Sequence, residues 1–217
     1  DVAWGDYDND GYLDQLLSGC MMDASVPPLC NVVFHRVYHN NAGADFTLAY
    51  TLPENNNQFS RAAWGDYNND NKLDILLNDF SGADFALLVL KNTGNGFDPV
   101  RTFEGLIALN IAWGDYNNDG LLDFAVGGDG GSRGIGADCN TGNDFTKAAT
   151  VTTGDASSSL AWGDYDNDGN LDLLVTTDGE VVIDHGEISA GQNVWQSMGG
   201  MEVGSVWGHG SYTAPDW

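Results

Sequence analysis

The sequence predicts an all-β array of propeller-type blades. Three observations carry that prediction: a twelve-residue acidic string that occurs four times, short apolar runs after each copy, and Gly/Asn turns between the runs. The string Ala3-Trp-Gly-Asp-Tyr-Asp-Asn-Asp-Gly-Tyr-Leu-Asp14 returns at Ala63–Asp74, Ala112–Asp123 and Ala161–Asp172. Successive copies start 60, 49 and 49 residues apart, and an insertion between Cys20 and Cys30 accounts for the longer first interval. A degenerate fifth copy starts at Val206-Trp207-Gly208, where His209, Gly210 and Ser211 replace the acidic positions. One array therefore covers 1–217, with repeats at about 1–60, 61–109, 110–158, 159–203 and 204–217.

The second period shows the elements in order. The acidic string is followed by Leu73–Leu77 and then by Phe85–Leu90. The turn Thr93-Gly-Asn-Gly96 separates the latter from Val100–Phe103, and Leu106–Trp113 leads into the next string. Apolar runs this short, bounded by Gly, Asn and Asp, are strands, and no segment keeps a helical period over three turns. About four strands in roughly 50 residues is the economy of a propeller blade.

Composition narrows the function. The 217 residues carry 7 Lys+Arg against 32 Asp+Glu, a formal charge of −25. Phosphate backbones and anionic membrane surfaces are won by basic residues, so neither is an expected partner. The hydrophobic fraction of 42% with 11% aromatic residues supplies a core and excludes a disordered acidic chain. No apolar run approaches the roughly 20 residues of a membrane-spanning helix. The chain opens on Asp1 and not on Met, which reads as a mature N-terminus or the cut edge of a longer protein. Cys20 and Cys30 either close one loop as a disulfide or remain thiols, and Cys139 has no evident mate.

In the fourth string, carboxylates fall at positions 1, 3, 5 and 9 of a loop (Asp164, Asp166, Asp168, Asp172), with Gly169 at position 6. Alternating oxygen ligands in a tight loop suit calcium, which takes six to eight of them. Four carboxylates about 5 Å apart would repel by roughly 3 kcal/mol per pair at an effective dielectric near 20, so the loop calls for a cation. Asp/Asn/Gly strings also form plain turns, which explains one copy but not four at the same spacing. An EF-hand would need Glu at position 12 and a following helix. Position 12 is Leu17, Leu77, Val126 or Val175, each inside a strand-like run.

The Trp-Gly-Asp-Tyr-Asp/Asn-Asn-Asp-Gly-x-Leu-Asp string resembles the FG-GAP/VCBS repeat, the calcium-loop β-propeller blade also found in integrin alpha subunits. The resemblance implies about four Ca2+ ions, each held between the first two strands of a blade. The implied ligands are Asp6, Asp8, Asp10, Asp14 and the carbonyl of Tyr12 in the first loop, and Asp66, Asn68, Asp70, Asp74 and the carbonyl of Lys72 in the second. The third would use Asp115, Asn117, Asp119, Asp123 and the carbonyl of Leu121; the fourth, Asp164, Asp166, Asp168, Asp172 and the carbonyl of Asn170. Asn71 replaces Gly in the second loop, a substitution tolerated because Asn enters the left-handed region readily. Fewer carboxylates in the second and third loops, and Lys72 beside the second, predict unequal sites with the second weakest. Related propellers close with about six to eight blades, so four blades and the start of a fifth form an incomplete or small propeller.

Trp4, Trp64, Trp113 and Trp162 precede the loops at one fixed position, as an inter-blade wedge would, rather than as a ring of sugar platforms. Trp195, Trp207, Tyr212 and Trp217 are off-pattern and are the candidate partner residues. His35, His39, His185 and His209 join no recognisable nucleophile motif. The expected function is a non-catalytic, extracellular, calcium-stabilised module for adhesion or recognition of protein or carbohydrate. The alternative is a structural subunit of an extracellular filament, and a propeller appended to an enzyme ranks third. Self-association or a longer parent chain should cover the strand edges near Val2–Trp4 and Val203–Trp217.

Overall fold

The computed structural model describes residues 1–22, 30–53, 61–79, 86–106, 108–128, 134–152, 159–164, 171–177 and 180–184. Among them the chain is all-β, built as four small antiparallel sheets that follow one another along the sequence. The first sheet runs β1 (Val2–Gly5), β2 (Asp14–Met22), β3 (Cys30–Asn40), β4 (Phe46–Thr51). The second runs β5 (Ala62–Gly65), β6 (Asp74–Asp79), β7 (Ala86–Asn92), β8 (Phe97–Glu104). The third runs β9 (Asn110–Gly114), β10 (Asp123–Gly128), β11 (Gly134–Asn140), β12 (Phe145–Thr152), and the fourth shows β13 (Ser159–Gly163), β14 (Asp172–Thr177), β15 (Glu180–Asp184). Each is a meander in which sequence neighbours are sheet neighbours, the connectivity of a propeller blade. No strand of the first sheet pairs with one of the fourth among the described residues.

The repeat is kept to the residue. Gly5 pairs with Asp14, Gly65 with Asp74, Gly114 with Asp123 and Gly163 with Asp172. The acidic string therefore starts on the first strand, crosses the connection, and its last aspartate opens the second strand. A bulge interrupts the pairing of third and fourth strands at the same place in three repeats, at Val37/Tyr38, Val89/Leu90 and Ala137/Asp138. Such bulges re-aim the residues that follow, here the ends of β3, β7 and β11. The Cys20–Cys30 insertion lengthens the central hairpin: β2 and β3 have 9 and 11 residues, against 6 and 7 for β6 and β7. The side chains of Cys20 and Cys30 lie outside the described residues, and Cys139 is a free thiol.

The core lies between sheets. Leu16 and Val37 of the first sheet meet Ile75, Leu77, Leu88 and Leu90 of the second. The opposite face of the second, Leu76, Leu87 and Val89, meets Phe124, Val126 and Phe145 of the third. Ala125 and Ile135 then meet Leu173 of the fourth. A strand buried on both faces reads as a continuous apolar run, which is why β6 and β7 show no alternation. The predicted run Leu106–Trp113 is strand only from Asn110. Leu106 and Ala108 instead plug the core between the second and third sheets.

The tryptophan wedge is explicit. Trp64 packs where Gly5 lacks a side chain, Trp113 against Gly65 and Trp162 against Gly114; a Cβ on Gly65 would stand 2.7 Å from the Trp113 ring. The same rings stack on Tyr7, Tyr67 and Tyr116 at centroid distances of 6.1, 6.5 and 6.3 Å. Trp113 Nε1 donates to the Ala63 carbonyl and Trp162 Nε1 to that of Ala112. The string Ala-Trp-Gly-Asp-Tyr is thus an interface, each copy received by the one before it.

Candidate metal centres

The loops at 6–14, 66–74 and 115–123 share one hydrogen-bond frame. The first aspartate braces its own loop: Asp6 accepts from the backbone N–H groups of Asp10 and Gly11 at 3.0 and 2.9 Å. Asp66 does so from Asp70 and Asn71, and Asp115 from Asp119 and Gly120. The fifth-position aspartates Asp10, Asp70 and Asp119 accept from the N–H of Tyr12, Lys72 and Leu121, which brings these three implied carbonyl ligands to the loop exits. The left-handed turn at position 6 is present as expected, with φ of +91° at Gly11, +64° at Asn71 and +85° at Gly120. Asparagine serves there because its short polar side chain tolerates that region.

The ninth-position aspartates Asp14, Asp74 and Asp123 are fully buried. Each accepts from the backbone N–H of an asparagine at the end of the third strand: Asn40 at 2.8 Å, Asn92 at 2.7 Å, Asn140 at 2.6 Å. These asparagines were not singled out from the sequence, although Asn92-Thr-Gly-Asn95 and Asn140-Thr-Gly-Asn143 do recur. They also tie repeats together, because Asn92 Nδ2 donates to the Tyr7 carbonyl and Asn140 Nδ2 to that of Tyr67. A second tie joins the loops, from Asn9 Nδ2 to the Asn71 carbonyl and from Asn69 Nδ2 to that of Gly120. Burial pushes all three ninth-position carboxyls up, Asp74 to about 6 with help from the charges of Asp70 and Asp66. The N–H donors from Asn92 and Tyr67 oppose the rise.

The third position sets the loops apart. In the first loop, carboxylate oxygens of Asp6, Asp8 and Asp10 lie within 4.8 Å of one another, as do ligand atoms of Asp8, Asp14 and His39. Like charges gathered this closely fit a divalent cation, which would convert their repulsion into ligation. In the second loop Asn68 Nδ2 donates to Asp74 at 2.9 Å, and Lys91 Nζ sits 3.3 Å from Asp70. In the third, Asn117 Nδ2 faces Asp119 and the Cys139 sulfur, at 3.0 and 3.1 Å. The Cys139 thiol is pushed up to about 11, by burial first and then by Asp123. In the fourth loop Asp164 is exposed and Asp172 buried, while Asp166, Asp168 and Asn170 lie outside the described residues. So do Trp195, Trp207, Tyr212 and Trp217.

No curated protein matches this chain. Among solved structures, the rhamnogalacturonan lyase PL11 of Bacillus licheniformis superposes with a TM-score of 0.57 at 17% identity, over 86% of this chain and 42% of the lyase. A lectin of Agrocybe aegerita, described as recognising non-reducing terminal N-acetylglucosamine, gives a TM-score of 0.43 at 14% identity, over 86% of this chain and 66% of the lectin. The chain thus spans less than two thirds of either. At these identities the lyase speaks to the fold alone. The cytochrome c-like domain of nitric oxide reductase matches residues 172–217. That stretch contains no cysteine, so it has no thiol for a c-type haem attachment, and its described part is strand. The FG-GAP-like repeat matches residues 115–175, from the third acidic loop into β14. That match supports the FG-GAP-repeat resemblance, and the acidic string inside it is the one the other repeats share.

Proposed function

We propose that this chain is an extracellular recognition module of the β-propeller type, non-catalytic, whose acidic loops take Ca2+ as a structural ion. The observation that carries the reading is the loop frame, built three times with the same braces and tied from repeat to repeat. Bound Ca2+ would neutralise the clustered carboxylates and rigidify the connections between first and second strands; Asp6, Asp8, Asp10 and Asp14 and their equivalents would hold it. FG-GAP repeats are typically extracellular, and calcium there is abundant enough to fill weak sites. No helix among the described residues is long and apolar enough to cross a membrane. The non-catalytic reading is supported by a Ser–His contact among the described residues of the first sheet. Ser18 and His35 meet, but both are buried among the strands, where a substrate has no approach. The bound partner is a protein or a carbohydrate. Screening the whole chain against glycans and extracellular proteins, with calcium and with chelator, tests this: capture that needs calcium supports recognition, and hydrolysis or elimination of a captured glycan contradicts the non-catalytic reading.

A second reading, a structural subunit of a filament, is favoured by the first sheet. Trp4 is 53% exposed, beside exposed Val2, Phe46 and Leu48, although its equivalents are wedged against glycines. A further blade, from this chain, a longer parent or another copy, would cover it. Sizing and imaging of the native protein separate these: filaments favour the second reading, and monomers exclude it.

A further inference from the structure

The residue that precedes Asn40, Asn92 and Asn140 on the third strand differs in each repeat: His39, Lys91 and Cys139. Register makes the three equivalent, since Tyr38, Leu90 and Asp138 pair with Gln15, Ile75 and Phe124, each just after the ninth-position aspartate. All three side chains reach their own acidic loop. Among these three loops the first alone receives an imidazole; in the fourth repeat Asp184 pairs with Leu173, and the residue that follows, His185, lies outside the described residues.

We propose that the first loop is a mixed nitrogen–oxygen centre in which His39 Nδ1 joins Asp8 and Asp14, so that it prefers a borderline divalent ion of the Zn2+ or Co2+ class over Ca2+. The proposal rests on the reading of the acidic loops as cation sites. His39 Nδ1 lies 3.2 Å from Asp8 Oδ2 and 3.4 Å from Asp14 Oδ1. Two ligands that each stand about 2.1 Å from one tetrahedral ion are about 3.4 Å apart, so these ion-pair separations also fit a shared ion. The nitrogen is buried and makes no hydrogen bond among the described residues, although carboxylate oxygens stand beside it. The other ring nitrogen faces Asp10 Oδ2 at 3.9 Å. An ion on Nδ1 would put the ring proton on Nε2, facing that carboxylate, the arrangement carboxylates make behind metal-binding histidines. Calcium is bound by oxygen, whereas imidazole suits zinc, cobalt, nickel and copper. The other two loops differ in kind: Lys91 places an ammonium beside the second, and Cys139 faces an asparagine amide in the third.

The test uses the whole chain stripped of metal and titrated with Co2+ in millimolar Ca2+. The expected result is Co2+ uptake with visible ligand-field absorption that Ca2+ does not displace. His39→Gln should take up one equivalent less, or bind it at least about 10-fold more weakly, with the Ca2+ stoichiometry of the other loops unchanged. Nitrogen NMR of the wild-type chain should show the assigned His39 Nδ1 signal shifting on Zn2+ addition, and not on Ca2+ addition, a readout that does not depend on a variant's folding. Equal Co2+ uptake by His39→Gln, or no shift of the His39 signal with Zn2+, overturns the proposal. Failure of the calcium reading looks different: Ca2+ then binds nowhere, while the His39-dependent Co2+ signal persists.

Discussion

The first and second repeats carry the same string and the same loop frame, yet their surroundings oppose each other. In the second repeat both faces of the sheet are buried, with Ile75, Leu76, Leu77, Leu87, Val89 and Leu90 fully enclosed, and an ammonium reaches the loop. In the first, one face is open at Trp4 and Leu48, and an imidazole reaches the loop. The difference teaches that the string specifies backbone and wedge, whereas the third strand and the neighbouring blade decide what the repeat contributes to stability and which cation its loop meets.

The largest way to break this comparison is through the wedge. Trp113→Ala removes a ring stacked on Tyr67 and seated on Gly65, and should cost about 3 kcal/mol of unfolding free energy. Trp4→Ala removes a half-exposed ring at the same string position and should cost under about 1 kcal/mol. Denaturant titration of both variants measures the gap, and equal losses would mean that the first sheet is covered in solution.

The pH dependence of the metal-free chain is the next test. Burial raises Asp74 from an ordinary 3.8 to about 6, and raises Asp14 and Asp123 in the same direction. A carboxyl that holds its proton more tightly when folded stabilises the fold at low pH, fully so below about 4, and that contribution is lost as pH rises through about 6. Melts in chelator should therefore fall between pH 5 and pH 7.5, and Asp74→Asn should flatten the slope. Calcium should reverse the trend, because it favours the ionised carboxylates. A metal-free melt that rises over the same window would contradict the assignment.

The smallest effect sharpens the loop contrast. Lys91→Met removes the ammonium 3.3 Å from Asp70. A partly exposed pair is worth about 1 kcal/mol or less, so calcium should bind the second loop up to about 5-fold more tightly, read by calorimetry. Unchanged affinity would mean that the lysine swings clear when the ion arrives.

Much of this was legible in the sequence, because the repeat repeats its physics. The acidic string located the loops, the Trp and Gly positions gave the wedge, and Asn71 was read as a left-handed residue. What escaped was fixed by pairing and not by chain adjacency. Asn40, Asn92 and Asn140 reach the loops only because the third strand returns beside the second with a bulge at a fixed place. The cation facing Asp70 is accordingly Lys91, 21 residues away along the chain, and not the nearby Lys72 singled out from the sequence. Leu106 read as strand because a plug and a strand present the same apolar run to a sequence pattern.

The central claim, that the acidic loops are structural cation sites, is tested most directly by melting the whole chain at pH 7.5 in calcium and in excess chelator. A loop filled at about 100 times its dissociation constant adds about 2.7 kcal/mol if the unfolded chain does not bind, so several loops together rival the stability of an ordinary domain. The account predicts a melting temperature that climbs with calcium concentration and drops sharply in chelator; an identical melt in both would contradict it.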